Sequence, residues 1–240
     1  MKLDDVKKLQ QKKYREQFGR FLVEGEHLAL ELAKACASNP QLAASELYVS
    51  QAYEHWQSPF KTHLISDKQM AQICDTKTPQ GIVAVVPSAA LSAREDTSQK
   101  AIYLHEIQDP GNLGTILRSL AWFGGFRCLL SPGSVDPFNP KVVRSSMGAI
   151  FHTPIELDVE LSDLAGRFKR VACLDMQGQS LQAPSFKQAD CYLFGNEARG
   201  VPAQALSDLD ATAFTIAGSG AIDSLNLAST VNICVYELSR

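Results

Sequence analysis

Three short stretches rich in glycine and asparagine could place backbone groups against a small ligand. They cover residues 109–114, 195–200 and 216–229, and each follows an apolar, strand-like run. Glycine lets the backbone approach a ligand closely, and free N–H and C=O groups can recognise the edge of a heterocycle. In the third stretch, Ile216 and Leu225 offer apolar faces for such a ring. An adenine-bearing cofactor fits this description, although ordinary turns at strand ends share the same composition.

The third stretch also carries the start signals of a long apolar helix. Asp223 or Ser224 can cap a helix predicted over residues 225–239, and the amide of Asn226 at the start of this helix can also cap it. The stretch does not match the dinucleotide fingerprint G-x-G-x-x-G, because Asp223 stands where the third glycine is required after Gly218 and Gly220. The chain also contains no G-x-x-x-x-G-K-[ST] phosphate loop and no G-x-S-x-G nucleophile elbow. These absences disfavour nicotinamide, nucleoside-triphosphate and serine-hydrolase chemistry.

Alternating strand-like and helix-like segments must position the three turns. In the first part of the chain, helices are predicted over 2–18, 27–37 and 67–74, and strands over 20–25, 46–50, 62–65 and 81–86. In the second part, strands are predicted over 101–107, 127–130, 171–174, 191–194 and 214–216, and helices over 112–123, 141–150, 161–168 and 225–239. Short apolar strands separated by helices indicate a parallel sheet covered on both faces. Ligands of such sheets bind beyond the carboxyl ends of the strands, where all three turns lie.

The sequence predicts two α/β domains joined by a linker. Residues 88–100 lose apolar strength and gain small and charged side chains. We therefore predict a small N-terminal α/β domain over residues 1–90, a linker over 91–100 and a C-terminal domain over 101–240. A surface loop within a single domain is the alternative for the same segment.

Composition and charge exclude several classes of protein. The 240 residues are 45% hydrophobic and 20% charged, which is ordinary for a globular protein, and no apolar run approaches the ~20 residues of a membrane span. The N-terminus has no signal-peptide pattern, so we expect a cytoplasmic protein without a membrane segment. Six dispersed cysteines form no C-x-x-C pair, which indicates reduced thiols and no metal site. The net charge is −3, yet residues 7–20 hold six basic residues against one acidic residue.

Three segments, taken in order, resemble the signature motifs of the SpoU/TrmH family of RNA ribose 2'-O-methyltransferases in the SPOUT superfamily. They are residues 112–118, 194–200 and 224–228, and residues 13–25 are similar to the substrate-binding domain that many members carry. The resemblance implies S-adenosylmethionine as the methyl donor, held in a C-terminal parallel-sheet domain with a deep trefoil knot. It further implies an active site near a homodimer interface and an RNA substrate, rRNA ahead of tRNA.

The resemblance also assigns roles to individual residues. Arg118 is central, and because a guanidinium stays protonated we expect it to position an RNA phosphate and stabilise the developing alkoxide. Glu197 is expected to hold Arg118 or to accept a hydrogen bond from the ligand. The remaining catalytic residues are Asn112, Ser224 and Asn226, and the cofactor-binding residues are Gly195, Asn196, Ile216 and Leu225.

RNA phosphate contacts are expected from four basic residues, with a solvated charged surface as the alternative. These residues are Arg144, Lys13, Arg15 and Arg20.

Two positions depart from the family pattern: Ala198 stands where members often have glycine, and Ala217 where many have proline. Both departures lie next to expected backbone contacts with the cofactor.

Two functions from other classes are alternatives to RNA methylation. An RNA-binding or assembly protein could retain the fold and lack catalysis, but the intact polar residues of the three motifs argue against it. A nicotinamide oxidoreductase is disfavoured by the missing third glycine.

Overall fold

The computed structural model describes residues 1–91 and 98–240, so residues 92–97 of the predicted linker lie outside the described part. The helices in this part are α1 (Leu3–Lys8), α2 (Lys12–Phe18), α3 (Glu26–Ser38), α4 (Asp67–Ile73), α5 (Pro110–Phe123), α6 (Pro140–Ser146), α7 (Leu164–Arg167), α8 (Ala203–Asp208) and α9 (Leu227–Ser239). The strands are β1 (Arg20–Glu24), β2 (Glu46–Val49), β3 (Lys61–Leu64), β4 (Ile82–Pro87), β5 (Lys100–Leu104), β6 (Phe126–Leu130), β7 (Ile155–Glu156), β8 (Val171–Ser180), β9 (Cys191–Phe194) and β10 (Thr212–Thr215).

The first of two structural units contains the described residues 1–91 and 136–152. Its four-stranded sheet has the order β1-β4-β2-β3, in which β2 and β3 are parallel and the other two pairings are antiparallel. Helices α1 and α4 cover part of the sheet, and Val6, Leu9 and Met70 are buried with Val83 and Val85 of β4. Burying these side chains supplies the apolar core that a unit of this size needs.

The second unit contains residues 98–135 and 153–240. Its six strands are all parallel, in the order β10-β8-β9-β5-β6-β7. Every residue of β6 and β9 is buried, as expected for central strands with both faces covered. The predicted fold class, a parallel C-terminal α/β sheet with a small N-terminal α/β domain, is therefore confirmed. The trefoil knot stays a prediction, and so do the exact domain boundaries.

The predicted single helix over residues 2–18 is wrong, because the chain breaks between α1 and α2. The break leaves the carbonyl groups of Leu9 and Gln10 without helical partners, and Arg15 Nη1 donates to both, at 2.9 and 2.8 Å. The same guanidinium donates from Nε and Nη2 to Asp136 Oδ2, at 2.8 and 2.6 Å. Arg15 thus satisfies the broken backbone from within the unit.

Other differences also follow from local geometry. The helix predicted over 141–150 ends at Ser146, because Met147 and Gly148 adopt positive φ angles of 51° and 91°. Strand β8 runs six residues beyond its predicted end at Leu174, through exposed positions of which Gln179 and Ser180 pair with β10. Strand β7 and helix α8 were not predicted, since β7 has two residues and α8 buries none of its side chains.

Candidate active site

A cavity of about 900 Å³ opens at the carboxyl ends of β9 and β10 and beside the middle of β8 in the second unit. Its wall includes the loops that follow β9 and β10, which are the second and third of the Gly/Asn stretches. Ligands of open parallel sheets bind at such ends. The predicted residues Gly195, Asn196, Glu197, Ile216, Ser224, Leu225 and Asn226 all line the cavity.

A chain of side-chain hydrogen bonds joins the three stretches to one another. Asn112 Nδ2, at the start of α5, donates to Glu197 Oε1 at 2.6 Å. Asn226 Nδ2, before α9, donates to Asn112 Oδ1 at 3.0 Å. We call Asn226, Asn112 and Glu197 the amide relay. It brings together residues that are more than 80 positions apart in the sequence.

The N-terminus of α9 fixes the direction of the amide relay. Asn226 Oδ1 accepts from the backbone N–H groups of Ala228 and Ser229, at 2.9 and 3.3 Å, so its NH₂ group must face Asn112. Asn112 must then turn its oxygen to Asn226 and its NH₂ group to Glu197. This order makes Glu197 the acceptor at the end of the relay. Of the three predicted caps of α9, Asn226 is confirmed, and Asp223 and Ser224 are wrong.

The side chain of Asn196 holds the loop after β9 in place by hydrogen bonds to backbone groups. Asn196 is only 7% exposed. Its Nδ2 donates to the Glu106 carbonyl at 2.8 Å, and its Oδ1 accepts from the backbone N–H groups of Ala198 and Arg199. The backbones of Asn196 and Gly200 also exchange two hydrogen bonds. The amide predicted to bind the cofactor is therefore engaged within the protein, although Asn196 still lines the cavity.

Gly195 is required by close packing of the same loop. A Cβ atom on Gly195 would lie 2.6 Å from the carbonyl carbon of Gly200, which is too close for any side chain. The loop can therefore fold back beside the cavity only with glycine at this position.

Arg118 lies on the exposed face of α5. Within residues 1–91 and 98–240, its guanidinium makes no ion pair or hydrogen bond. The structure therefore does not pair Glu197 with Arg118; the carboxylate is bonded to Asn112 instead. An unpaired guanidinium remains free to bind an anionic ligand.

The four predicted RNA-binding residues belong to the first unit and differ in accessibility. Arg15 is 5% exposed and its guanidinium is bound to Asp136 within the unit, and its expected contact with an RNA phosphate stays a prediction. Arg20 Nη1 donates to the Ala44 carbonyl at 2.7 Å, and Arg144 Nη2 to Asp75 at 2.8 Å. Lys13 is exposed and makes no ion pair within the described residues.

Several cavity residues were not predicted from the sequence. Asp175 and Met176 line the cavity from the polar half of β8, and Met176 is 65% exposed. Cys173 also lines it, and burial raises the pKa of its thiol to about 12, so it stays protonated and is not a nucleophile. The exposed half of β8 has no regular alternation of apolar and polar side chains, so the sequence does not indicate a strand there. These residues could therefore be found only once the sheet was known.

No group of three or more His, Cys, Asp or Glu side chains among the described residues could hold a metal ion. No helix in that part of the chain is long and apolar enough to cross a membrane.

Comparisons with known proteins agree with the geometry. Residues 99–236 match the model of the SpoU rRNA Methylase family, and residues 2–84 match an MRM3-like substrate binding domain. The chain is 30% identical to the 23S rRNA (guanosine(2553)-2'-O)-methyltransferase RlmP of Bacillus subtilis, over 99% of this chain and 95% of that protein.

Solved structures show the same fold. A protein from Porphyromonas gingivalis assigned to the TrmH family of RNA methyltransferases superposes with a TM-score of 0.84 and 28% identity, over 98% of this chain and 96% of the other. An AdoMet-bound rRNA methyltransferase from Sinorhizobium meliloti has a TM-score of 0.80 and 24% identity, over 98% and 93% of the two chains. With the family match covering more than half of its length, the chain belongs to the SpoU rRNA methylase family.

Proposed function

We propose that this protein is an S-adenosylmethionine-dependent methyltransferase that methylates a ribose 2'-hydroxyl of ribosomal RNA, with tRNA as the second candidate substrate. The observation that carries the proposal is the amide relay, because it joins the three family motifs at the rim of one cavity. The Bacillus subtilis relative, similar over nearly its full length, is named for this reaction on 23S rRNA.

The cavity fits the proposed cofactor. Ile216 and Leu225 supply apolar surface for an adenine ring, and Gly195 lines the same cavity, where its backbone groups could meet the edge of the ring. The carboxylates of Asp175 and Asp223 line the same cavity and would balance the positive charge of a sulfonium and an amino group. When bound, the cofactor supplies an electrophilic methyl group.

The residues of this chain would align the ribose and manage its proton. Of the five residues assigned to catalysis, only Glu197 has a carboxyl group that could accept a proton. The amide relay occupies only its Oε1 atom. We propose that Glu197 Oε2 accepts the hydrogen bond or the proton of the attacking hydroxyl. Arg118 would bind an RNA phosphate and stabilise developing negative charge, since it is cationic and unpaired among the described residues. Ser224 lines the cavity beside Asn226 and would contact the substrate.

A homodimer would bury an aromatic surface on α5 and α9. These helices pack together, and Phe123 and Tyr236 lie 6.0 Å apart between ring centroids. On their outer side Trp122 is 84% exposed and Tyr236 54% exposed, which is unusual for such large apolar groups. Arg118 lies one turn before Trp122 on α5, so a second copy at this surface would approach the catalytic arginine.

Methyl transfer to RNA tests the proposal directly. The protein is incubated with labelled S-adenosylmethionine and ribosomal RNA that lacks the modification, and the RNA is then digested to nucleosides. We expect label in a 2'-O-methylated nucleoside. Label in a base would refute the proposed chemistry, and cofactor binding without transfer would support the catalytically silent alternative. A cytoplasmic location stays a prediction from the sequence.

A further inference from the structure

We propose that Tyr14 is a stacking platform for an unpaired RNA base, flanked by Lys8 and Lys13 as contacts for the adjoining phosphates. This inference rests on the proposed function, because it assigns part of the RNA footprint to one surface of the first unit. The surface lies on α1 and α2, outside the cavity described above.

The three side chains form a compact group. The Tyr14 side chain is partly exposed, and the ammonium groups of Lys8 and Lys13 each lie over its ring, 5.8 Å from the centroid. The break between α1 and α2 brings Lys8, the last residue of α1, to the same ring as Lys13 on α2. A cation over the face of an aromatic ring is attracted to it. A stacking base would take the place of these ammonium groups, and the flexible lysine side chains would turn to the adjoining phosphates.

The Tyr14 ring is held from within the protein. It stacks on Phe18, with centroids 6.1 Å apart and planes inclined by 18°, and Phe18 packs against the core of the first unit. The next residue, Arg15, is fixed by Asp136 and by two carbonyl groups of the helix break. Because α2 is anchored in this way, little conformational entropy would be lost when a base stacks on Tyr14.

The chemistry of the surface favours single-stranded RNA over other partners. Lys7, Lys8, Lys12 and Lys13 are clustered within seven residues, and a polyanion would be attracted to them. Lys8 and Lys12 pair locally with Asp5 and Glu16, whereas Lys13 makes no ion pair in the described part of the chain. Lysine contacts alone would suit any nucleic acid. A flat aromatic ring next to them selects bases that are free to unstack.

The test compares binding of the full chain to a mixed-sequence single-stranded RNA oligonucleotide and to the duplex formed with its complement, over a series of salt concentrations. Tyr14→Leu keeps an apolar contact with Phe18 but removes the flat ring, and Tyr14→Phe is the matched control that keeps it. Lys13→Ala removes a phosphate contact. Melting temperatures establish that each variant is folded.

We expect Tyr14→Leu to weaken single-strand binding about 5- to 150-fold at every salt concentration, with an unchanged salt slope and unchanged duplex binding. Tyr14→Phe should bind like the wild type. Lys13→Ala should weaken both forms and reduce the magnitude of the single-strand salt slope by about 0.7. If Tyr14→Leu does not fold, Tyr14→Trp provides the measurement, and it should bind the single strand at least as tightly as the wild type.

Equal single-strand affinities of Tyr14→Leu and the wild type would overturn this inference alone. So would a loss in Tyr14→Phe that matches the loss in Tyr14→Leu, because the hydroxyl and not the ring would then be responsible. A wild-type protein that binds neither RNA would also overturn this inference, whereas failure of methyl transfer to ribosomal RNA would contradict the proposed function itself.

Discussion

Asn112 and Glu197 lie 85 positions apart in the chain, and a hydrogen bond of 2.6 Å joins their side chains. The bond has a defined direction, because Asn226 and the first turn of α9 orient the Asn112 carboxamide. A helix terminus therefore sets the position of a carboxylate at the rim of the cavity. Such indirect positioning matters because small displacements of reacting groups cost large factors in rate.

The first prediction separates the two roles of Asn226. Asn226→Asp should still cap α9, because aspartate is as good a cap as asparagine, but it cannot donate to Asn112. We expect kcat for methyl transfer to fall about 10- to 100-fold, with little change in melting temperature. Asn226→Ala should lose both roles and destabilise the protein by about 1 kcal/mol as well. Wild-type turnover in Asn226→Asp would show that Asn226 acts only as a cap.

The second prediction concerns Arg118. Because its side chain is exposed and unpaired among the described residues, Arg118→Ala should change the free energy of unfolding by less than about 0.5 kcal/mol. Cofactor affinity, measured by calorimetry, should be retained, whereas turnover should fall about 100- to 1,000-fold. Arg118→Lys keeps the charge but not the planar donor geometry, and we expect it to recover only part of the rate. Turnover near the wild-type value in Arg118→Ala would remove Arg118 from the mechanism.

The third prediction tests the close packing at Gly195. Gly195→Ala places a Cβ 2.6 Å from the Gly200 backbone, so the loop after β9 must shift. We expect a loss of about 1–3 kcal/mol in the free energy of unfolding, together with weaker cofactor binding. Gly166→Ala is the control, since its Cβ would meet no atom within 4 Å and it lies in α7. Equal stability of the two variants would argue against a packing role for Gly195.

The fourth prediction addresses self-association. Trp122→Glu places a charge in the centre of the proposed dimer surface, and we expect sedimentation analysis to show a monomer where the wild type is a dimer. Leu64→Glu is the matched control, because Leu64 is also exposed, at 52%, but lies on the first unit. A dimer that persists in Trp122→Glu, or a monomeric wild type, would contradict the proposed interface.

The sequence predicts those parts of the structure that depend on local pattern. Buried strands such as β6 and β9 appear as apolar runs, and the three turns can be recognised because glycine and asparagine mark them. The motif resemblance adds the residues that meet at the cavity. Their direct hydrogen bonds, however, depend on side-chain orientation, and the expected pairing of Glu197 with Arg118 is replaced by Asn112.

Features that depend on distant contacts could not be predicted. Arg15 has the sequence context of a surface residue in a basic helix, yet its partner Asp136 lies 121 positions further along the chain. Asp223, Ser224 and Asn226 are all good caps by residue type, and the sequence does not decide which of the three stands directly before α9. In both cases the tertiary structure, and not the residue type, decides what the side chain contacts.

Because residues 136–152 belong to the first unit, the chain cannot be cut at residue 91 without loss of contacts inside that unit. A fragment ending at residue 91 would keep the guanidinium of Arg15 but lose Asp136, and would leave Phe21 without the ring of Phe138, 4.8 Å away between centroids. A buried charge without its counter-ion is costly. The N-terminal unit is therefore not a detachable module: an exchange between relatives has to carry two separate stretches of the gene, and a single splice would break the salt bridge that supports the Tyr14 surface.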